Sequence, residues 1–166
     1  MIDILHRETE TVILTVNGEW RNYANLGGQY AVLDGIDLSG ARLADADLAF
    51  ARLRGAILAG ADLSEAYLAS ADLTGADLSG ATLRRADCLS VRFRRANLTK
   101  ADLSYATLQS TDWRGAILTG ANLARATLKG GHYDQFTIWP EGFVPHKHHL
   151  IYRPSTARRQ PDRASK

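Results

Sequence analysis

The chain carries one cysteine, Cys88, so it cannot close a disulfide within itself. It has one methionine and four phenylalanines, which leaves alanine and leucine to fill most of any core. No apolar run reaches the roughly 18 residues that a membrane helix needs. The opening residues, Met1-Ile2-Asp3-Ile4-Leu5-His6-Arg7-Glu8, bring in acids early, where a signal peptide is basic and then apolar. A cytoplasmic, single-domain chain without membrane contact is the expectation. Matched catalytic groups are also lacking. The many aspartates have no base, nucleophile or metal ligand at a fixed offset, so no catalytic residue, cofactor, metal or enzymatic activity is expected.

What is present is a period of five. Residues 31–130 divide without a slip into 20 units such as Ala31-Val32-Leu33-Asp34-Gly35. The central residue, position i, is Leu in 17 units, with Cys88, Phe93 and Trp113 as exceptions. Position i−2 is Ala in 17 units, with Ile36, Val91 and Thr111 as exceptions. A helix cannot use this pattern, because five steps of about 100° carry the leucines to every side. A flat strand cannot either: positions i−2 and i share a face, but an odd period turns the next unit over. One bend per unit restores the inward direction, so the chain winds around its own apolar axis. Glycines at i+2 pair at 35/40, 55/60, 75/80 and 115/120, which is a 20-residue superperiod; the expected pair at 95/100 is Arg95 and Lys100. Four units per coil and about five coils follow, rising about 24 Å at ~4.8 Å per coil. Two of the four corners are rich in Gly, where φ > 0 is expected.

The repeated unit, as in Ala71-Asp72-Leu73-Thr74-Gly75 and Ala121-Asn122-Leu123-Ala124-Arg125, resembles the pentapeptide-repeat family over about 100 of the 166 residues. The resemblance implies an all-β, right-handed quadrilateral β-helix, with the Asp or Asn at i−1 outward and solvated. It implies no enzymatic activity for the repeat itself. Its known relatives include inhibitors of DNA gyrase that imitate duplex DNA.

Residues 1–30 lack the period. Ile2, Ile4 and then Thr11-Val12-Ile13-Leu14-Thr15-Val16 read as two short strands, joined through residues 6–10, with Asn17-Gly18 as a turn. With Trp20, Tyr23 and Tyr30, this segment reads as a cap on the first coil, whose edge would otherwise be open. A recognition element built by Trp20 and Tyr23 is the alternative. Residues 131–153, with Tyr133, Phe136, Trp139 and Phe143, read as a cap folded over the last coil, and Pro140-Glu141-Gly142 as a turn. Residues 154–166 read as a mobile basic tail.

Stacking every 20 residues sorts the units into four columns. The first has centres Leu33, Leu53, Leu73, Phe93 and Trp113, so both bulky centres fall in adjacent layers, where the coils are expected to widen or bend. At i−1 of that column Arg52, Asp72, Arg92 and Asp112 alternate in sign and are expected to pair across layers. At i+2 of the third column Arg85 and Arg125 flank Tyr105 as cation–π neighbours. Cys88 reads as a small buried hydrophobe. His146, His148 and His149 offer imidazoles to a metal but lack Cys or carboxylate partners at ligand spacing, and Asn97-Leu98-Thr99, though a glycosylation pattern, lies within the repeat.

Charge is uneven along the axis. Residues 31–80 hold 8 acids and 3 bases; residues 81–130 hold 3 acids and 9 bases. The candidate partner-binding residues are Arg92, Arg94, Arg95 and Arg114 of the first column, with Lys100 one corner away; Arg95 and Lys100 stand where two corner glycines are expected. The leading reading is a non-catalytic interaction or scaffold protein whose partner is a protein rather than nucleic acid. The alternatives are a DNA-mimicking inhibitor or protector of gyrase, by resemblance, and an electrostatic binder of nucleic acid or an acidic partner through the basic C-terminal half. A monomer or an end-to-end homodimer is expected.

Overall fold

The computed structural model describes residues 2–5, 12–16, 19–22 and 29–155, with side chains from Tyr30 onward. Parallel bridges join residues 20 apart, from Val32 with Arg52 through Asp112 with His132. A turn follows every central residue: the N–H of Ile36 donates to the Leu33 carbonyl at 3.2 Å, that of Ala41 to Leu38 at 3.0 Å, and so on along the chain, except at Leu108, whose carbonyl accepts the Thr111 hydroxyl at 2.7 Å. Four turns therefore separate each residue from its bridge partner. Leu58, Leu78 and Leu98 lie in register, because their neighbours Ile57, Asp77 and Asn97 are bridged in sequence, and all three leucines are fully buried.

One unit shows why the backbone accepts this path. The Ala71 N–H closes the preceding turn on Leu68, and the Asp72 N–H donates to Ala51 in the coil before. The N–H groups of Leu73 and Gly75 donate to Arg92 and Arg94 in the coil after. The fifth, on Thr74, donates to Asp72 Oδ1 at 3.1 Å. Every donor is satisfied, as a buried ladder requires. The same bond recurs at Asp37, Asp47, Asp62, Asp77, Asp87, Asn97, Asp102, Asp112 and Asn122. The i−1 aspartates were expected to be outward and solvated. Asp37, Asp47 and Asp62 are exposed as expected, but all are bound into the turn as Asx motifs, and Asp72 is only 6% exposed.

The corners differ from expectation in a second way. Positive φ is not confined to the two glycine-rich corners: it occurs at every i+2 position, eleven of them non-glycine, with φ between 57° and 62°. A side chain there costs about 1–2 kcal/mol over glycine. Nor does the ladder open around the bulky centres. Phe93 and Trp113 are fully buried and stack with centroids 4.8 Å apart, while the inter-coil bonds at Phe93 and Trp113 remain 2.9 and 2.7 Å.

At the start of the chain, β1 (Ile2–Leu5) pairs antiparallel with β2 (Val12–Val16), as the sequence suggested. A second hairpin, unforeseen, pairs β3 (Glu19–Asn22), which contains Trp20, with β4 (Gln29–Val32), the first strand of the repeat. The links at 6–11 and 17–18, together with Tyr23, lie outside the described residues. At the other end the ladder runs on past Gly130. In β5 (His132–Tyr133), His132 pairs with Asp112, and β6 (Ile151–Tyr152) lies parallel to β5. Ile138 pairs with Ile117 at a spacing of 21, so one extra residue is absorbed on the way. Leu150 packs against Gly131, where a Cβ would come within 2.8 Å of it. Columns one, two and four of the last coil thus gain neighbours from residues 132–152. Column three, at residues 121–125, has residues 140–148 beside it but gains no ladder hydrogen bond from them.

Candidate functional site

Among the candidate partner-binding residues, Arg92, Arg94 and Arg95 lie in one unit, Arg114 sits one layer above, and Lys100 sits on the next corner. The ladder fixes their origins, and two carboxylates organise their ends. Asp72 Oδ2 takes Arg54 Nε at 2.7 Å and lies 3.6 Å from Arg92. Asp112 Oδ2 takes Arg114 at 2.5 Å and lies 3.7 Å from Arg94. The expected alternation along i−1 is therefore realised for Arg92 with Asp72 but not for Arg52, which turns to Asp34 at 2.6 Å. The strongest partners, Arg54 and Arg114, come from i+1, whose side chains reach sideways along the same face.

Burial pushes both carboxyls up. For Asp72 this is outweighed by hydrogen bonds from Thr74 and Arg54, and for Asp112 by those from Arg114 with the charge of Arg94. Both end below the usual aspartate range, and both are ionised at neutral pH.

Each carboxylate holds two guanidiniums, so pairing leaves a net positive charge around each. Arg95 and Lys100 make no ion pair among the described residues, and both are exposed. Their stems run beside the corners above: a Cβ on Gly115 would meet Arg95 Cγ at 3.2 Å, and one on Gly120 would meet Lys100 Cγ at 3.5 Å. The glycines one layer up give these cations room. With Arg52 and Asp34 below and Asp134 above, whose charge acts on Arg114, column one and Lys100 carry seven cations against four carboxylates, so the face keeps three uncompensated positive charges.

A second cluster lies on column three. Arg125 and Arg85 stand 5.6 and 6.0 Å from the Tyr105 ring centroid, as expected, and Arg84 joins them at 5.3 Å. Glu65, 3.5 Å from Arg85, is the carboxylate within this group. Cys88 is fully buried, and burial pushes its thiol well up, so it is inert at neutral pH. Among the described residues no three histidine, cysteine or acidic groups are placed to hold a metal; the His148 ring stacks on Phe143 instead. The Asn97 side chain is committed to Asp77 and Thr99.

Asp134 escaped the sequence reading. Its Oδ1 accepts the N–H groups of Gly115 and Phe136 and the Thr137 hydroxyl, and its Oδ2 accepts the Ser155 hydroxyl at 2.6 Å. Burial pushes this carboxyl up, and the bonds from Ser155, Gly115, Phe136 and Thr137 bring it below its usual range. A signal was present: Tyr133 falls on the i position of the continuing frame, which places Asp134 at i+1, the position Asp34 holds in the first unit. Arg54 N–H donates to Asp34 Oδ1 from the layer above, and Gly115 N–H donates to Asp134 from the layer below.

Turns every five residues and bridges every 20 define a β-helical repeat protein. Residues 29–60, 61–99 and 96–131 match the pentapeptide-repeat family, in 8 copies. The chain belongs to that family, and its fold is the right-handed β-helix. Among solved structures it is similar to the pentapeptide-repeat protein Rfr23 of the cyanobacterium Cyanothece 51142, at 32% identity over 65% of this chain and 90% of that one, with a TM-score of 0.57. It is also similar to the pentapeptide-repeat protein alr5209 of Nostoc PCC 7120, at 36% identity over 70% and 84% of the two chains, with a TM-score of 0.32. Full-length QnrB1, a plasmid-mediated fluoroquinolone resistance protein, aligns at 18% identity over 74% and 82%, with a TM-score of 0.31. The first of these supports the fold; the other two superpose too poorly to carry an argument. No curated protein matches the chain. No helix among the described residues is long and apolar enough to cross a membrane.

Proposed function

We propose that this chain is a non-catalytic interaction protein of the cytoplasm. In this reading it is a stiff, four-sided stack of about five coils, without cofactor or metal, and it presents the basic face of column one to an acidic protein partner. One observation carries the reading: the corner pair that elsewhere is glycine is here Arg95 and Lys100, both held at positive φ and both without an ion pair among the described residues. Two backbone penalties are accepted at the place where two cations are displayed. The fold alone would favour glycine.

A protein partner suits the face better than duplex DNA. Asp72 and Asp112 are interleaved with the arginines and would oppose a continuous phosphate backbone. The gyrase-directed reading requires an extended acidic surface, and residues 81–130 carry 9 bases against 3 acids. Supercoiling by gyrase is expected to be unaffected by micromolar protein. The test of the main reading is affinity purification from the native cell with the wild-type chain and with an Arg95→Glu, Lys100→Glu variant. A partner recovered by the first and lost by the second supports it. The same set of partners from both would refute it.

A further inference from the structure

The ladder is satisfied on both sides of the inner units; among the described residues the N–H groups of Asp37, Arg42 and Asp47 lack ladder partners at the lower edge, and the upper edge is least satisfied at residues 121–125. One layer below, the Ala101 carbonyl accepts the Asn122 N–H at 2.9 Å, and the Leu103 and Tyr105 N–H groups donate to Asn122 and Ala124 at 2.8 and 2.9 Å. The equivalent groups of the last unit, the Ala121 carbonyl and the N–H groups of Leu123 and Arg125, have no partner among the described residues. An open cleft of about 340 Å³ lies beside them, between Ala121, Leu123 and Arg125 on one wall and Pro140, Phe143 and His148 on the other. Leu43, Leu63, Leu83 and Leu103 below are fully buried; Leu123 is only half-buried.

We propose that this edge receives an extended peptide from another protein as one added parallel strand, with the pattern small residue, any, leucine, any, acidic. The first three preferences follow from register. A residue placed over Ala121 continues a column that is alanine at 41, 61, 81 and 101, and one placed over Leu123 continues a column of leucines. The fifth follows from charge. In this same corner column Glu65 reaches Arg85 one layer above at 3.5 Å, so an acid one layer above Arg125 meets its guanidinium in the mirrored sense. Arg125 has no carboxylate partner among the described residues and rests on Tyr105 with Arg84, which leaves the corner cationic. This site is separate from the column-one face and stands without it.

The test is a titration of the ¹⁵N-labelled full chain with the peptide acetyl-Ala-Asn-Leu-Ser-Glu-amide, beside a scrambled peptide of the same composition. The Leu123 and Arg125 amides are expected to shift and saturate with the first peptide alone. Arg125→Glu is expected to weaken that peptide about three- to tenfold and to favour its lysine-ended analogue. The variant should keep the turn, since Glu65 holds the same corner at φ 59°. Absent shifts, or equal binding of the scrambled peptide, would overturn the proposal. So would edge amides already slow to exchange in the free chain: independence of concentration would assign the edge to residues 156–166, and dependence on it to a second copy.

Discussion

Residues 31–80 place glycine at 6 of their 10 corners and carry 8 acids against 3 bases; residues 81–130 place glycine at 3 of 10 and carry 3 acids against 9 bases. The backbone scarcely registers the change. Corner φ values run from 59° to 71° in the first set and from 57° to 78° in the second, and the 20-residue bridges continue through both. The hydrogen-bond ladder sets the path, and the corner residue adapts to it at a cost. A cation on such a corner therefore needs a reason other than folding. The interiors differ as well: the first set is packed with leucine and alanine, whereas the second holds Phe93 stacked on Trp113, continued through Trp139 and Phe143 to the rim.

The largest effect that would sharpen this contrast is in the core. Trp113→Ala should cost about 4 kcal/mol, against about 3 kcal/mol for Leu53→Ala in the same column. Equal losses in chemical denaturation would mean that neither the larger volume of Trp113 nor its stacking adds stability. Next comes Asp134→Ala, which strips four acceptor bonds and should cost about 2–3 kcal/mol. Faster exchange of the Gly115 amide would localise that loss. Asp62→Ala, which removes one turn bond in the acidic half, should cost about 1 kcal/mol; a loss equal to that of Asp134→Ala would erase the distinction.

Acid should weaken both halves, because the depressed carboxyls lie in each. Asp72, Asp112 and Asp134 are held below their unfolded values in the folded chain. Their contribution is present above the unfolded aspartate value of about 4 and is lost as pH falls through the folded values. Thermal unfolding followed from pH 6 to pH 2 should show falling stability below about pH 4, and Asp72→Asn with Asp112→Asn should flatten that fall. An unchanged slope would deny these groups their role. The smallest effect separates two glycines. A Cβ on Gly75 meets nothing within 4 Å, so Gly75→Ala should cost only the ~1 kcal/mol of a left-handed alanine. Gly115→Ala should cost slightly more and displace the Arg95 stem, which a chemical-shift change at Arg95 would report.

Much of the fold was legible because a period of five has one regular solution for alanine and leucine two residues apart. The structural work of Asp72 and its equivalents was not, since an acid on an outward position reads as solvated until the orphan N–H two residues on is counted. The pairing of Arg54 and Arg114 was hidden for a related reason: register fixes where a side chain starts, while long guanidinium side chains choose their carboxylates laterally. The path of residues 131–155 was only half legible. Tyr133 keeps the frame, but the extra residue before Ile138 breaks it, and no spacing rule predicts where such a residue is absorbed.

The most direct measurement is the thermal stability of an Arg95→Gly, Lys100→Gly variant, read together with its capture of partners from the native cell. The account predicts a midpoint no lower than wild type, because two left-handed side chains are relieved, with the partner lost. A lower midpoint with capture intact would contradict it, since those cations would then serve the stack and not its surface.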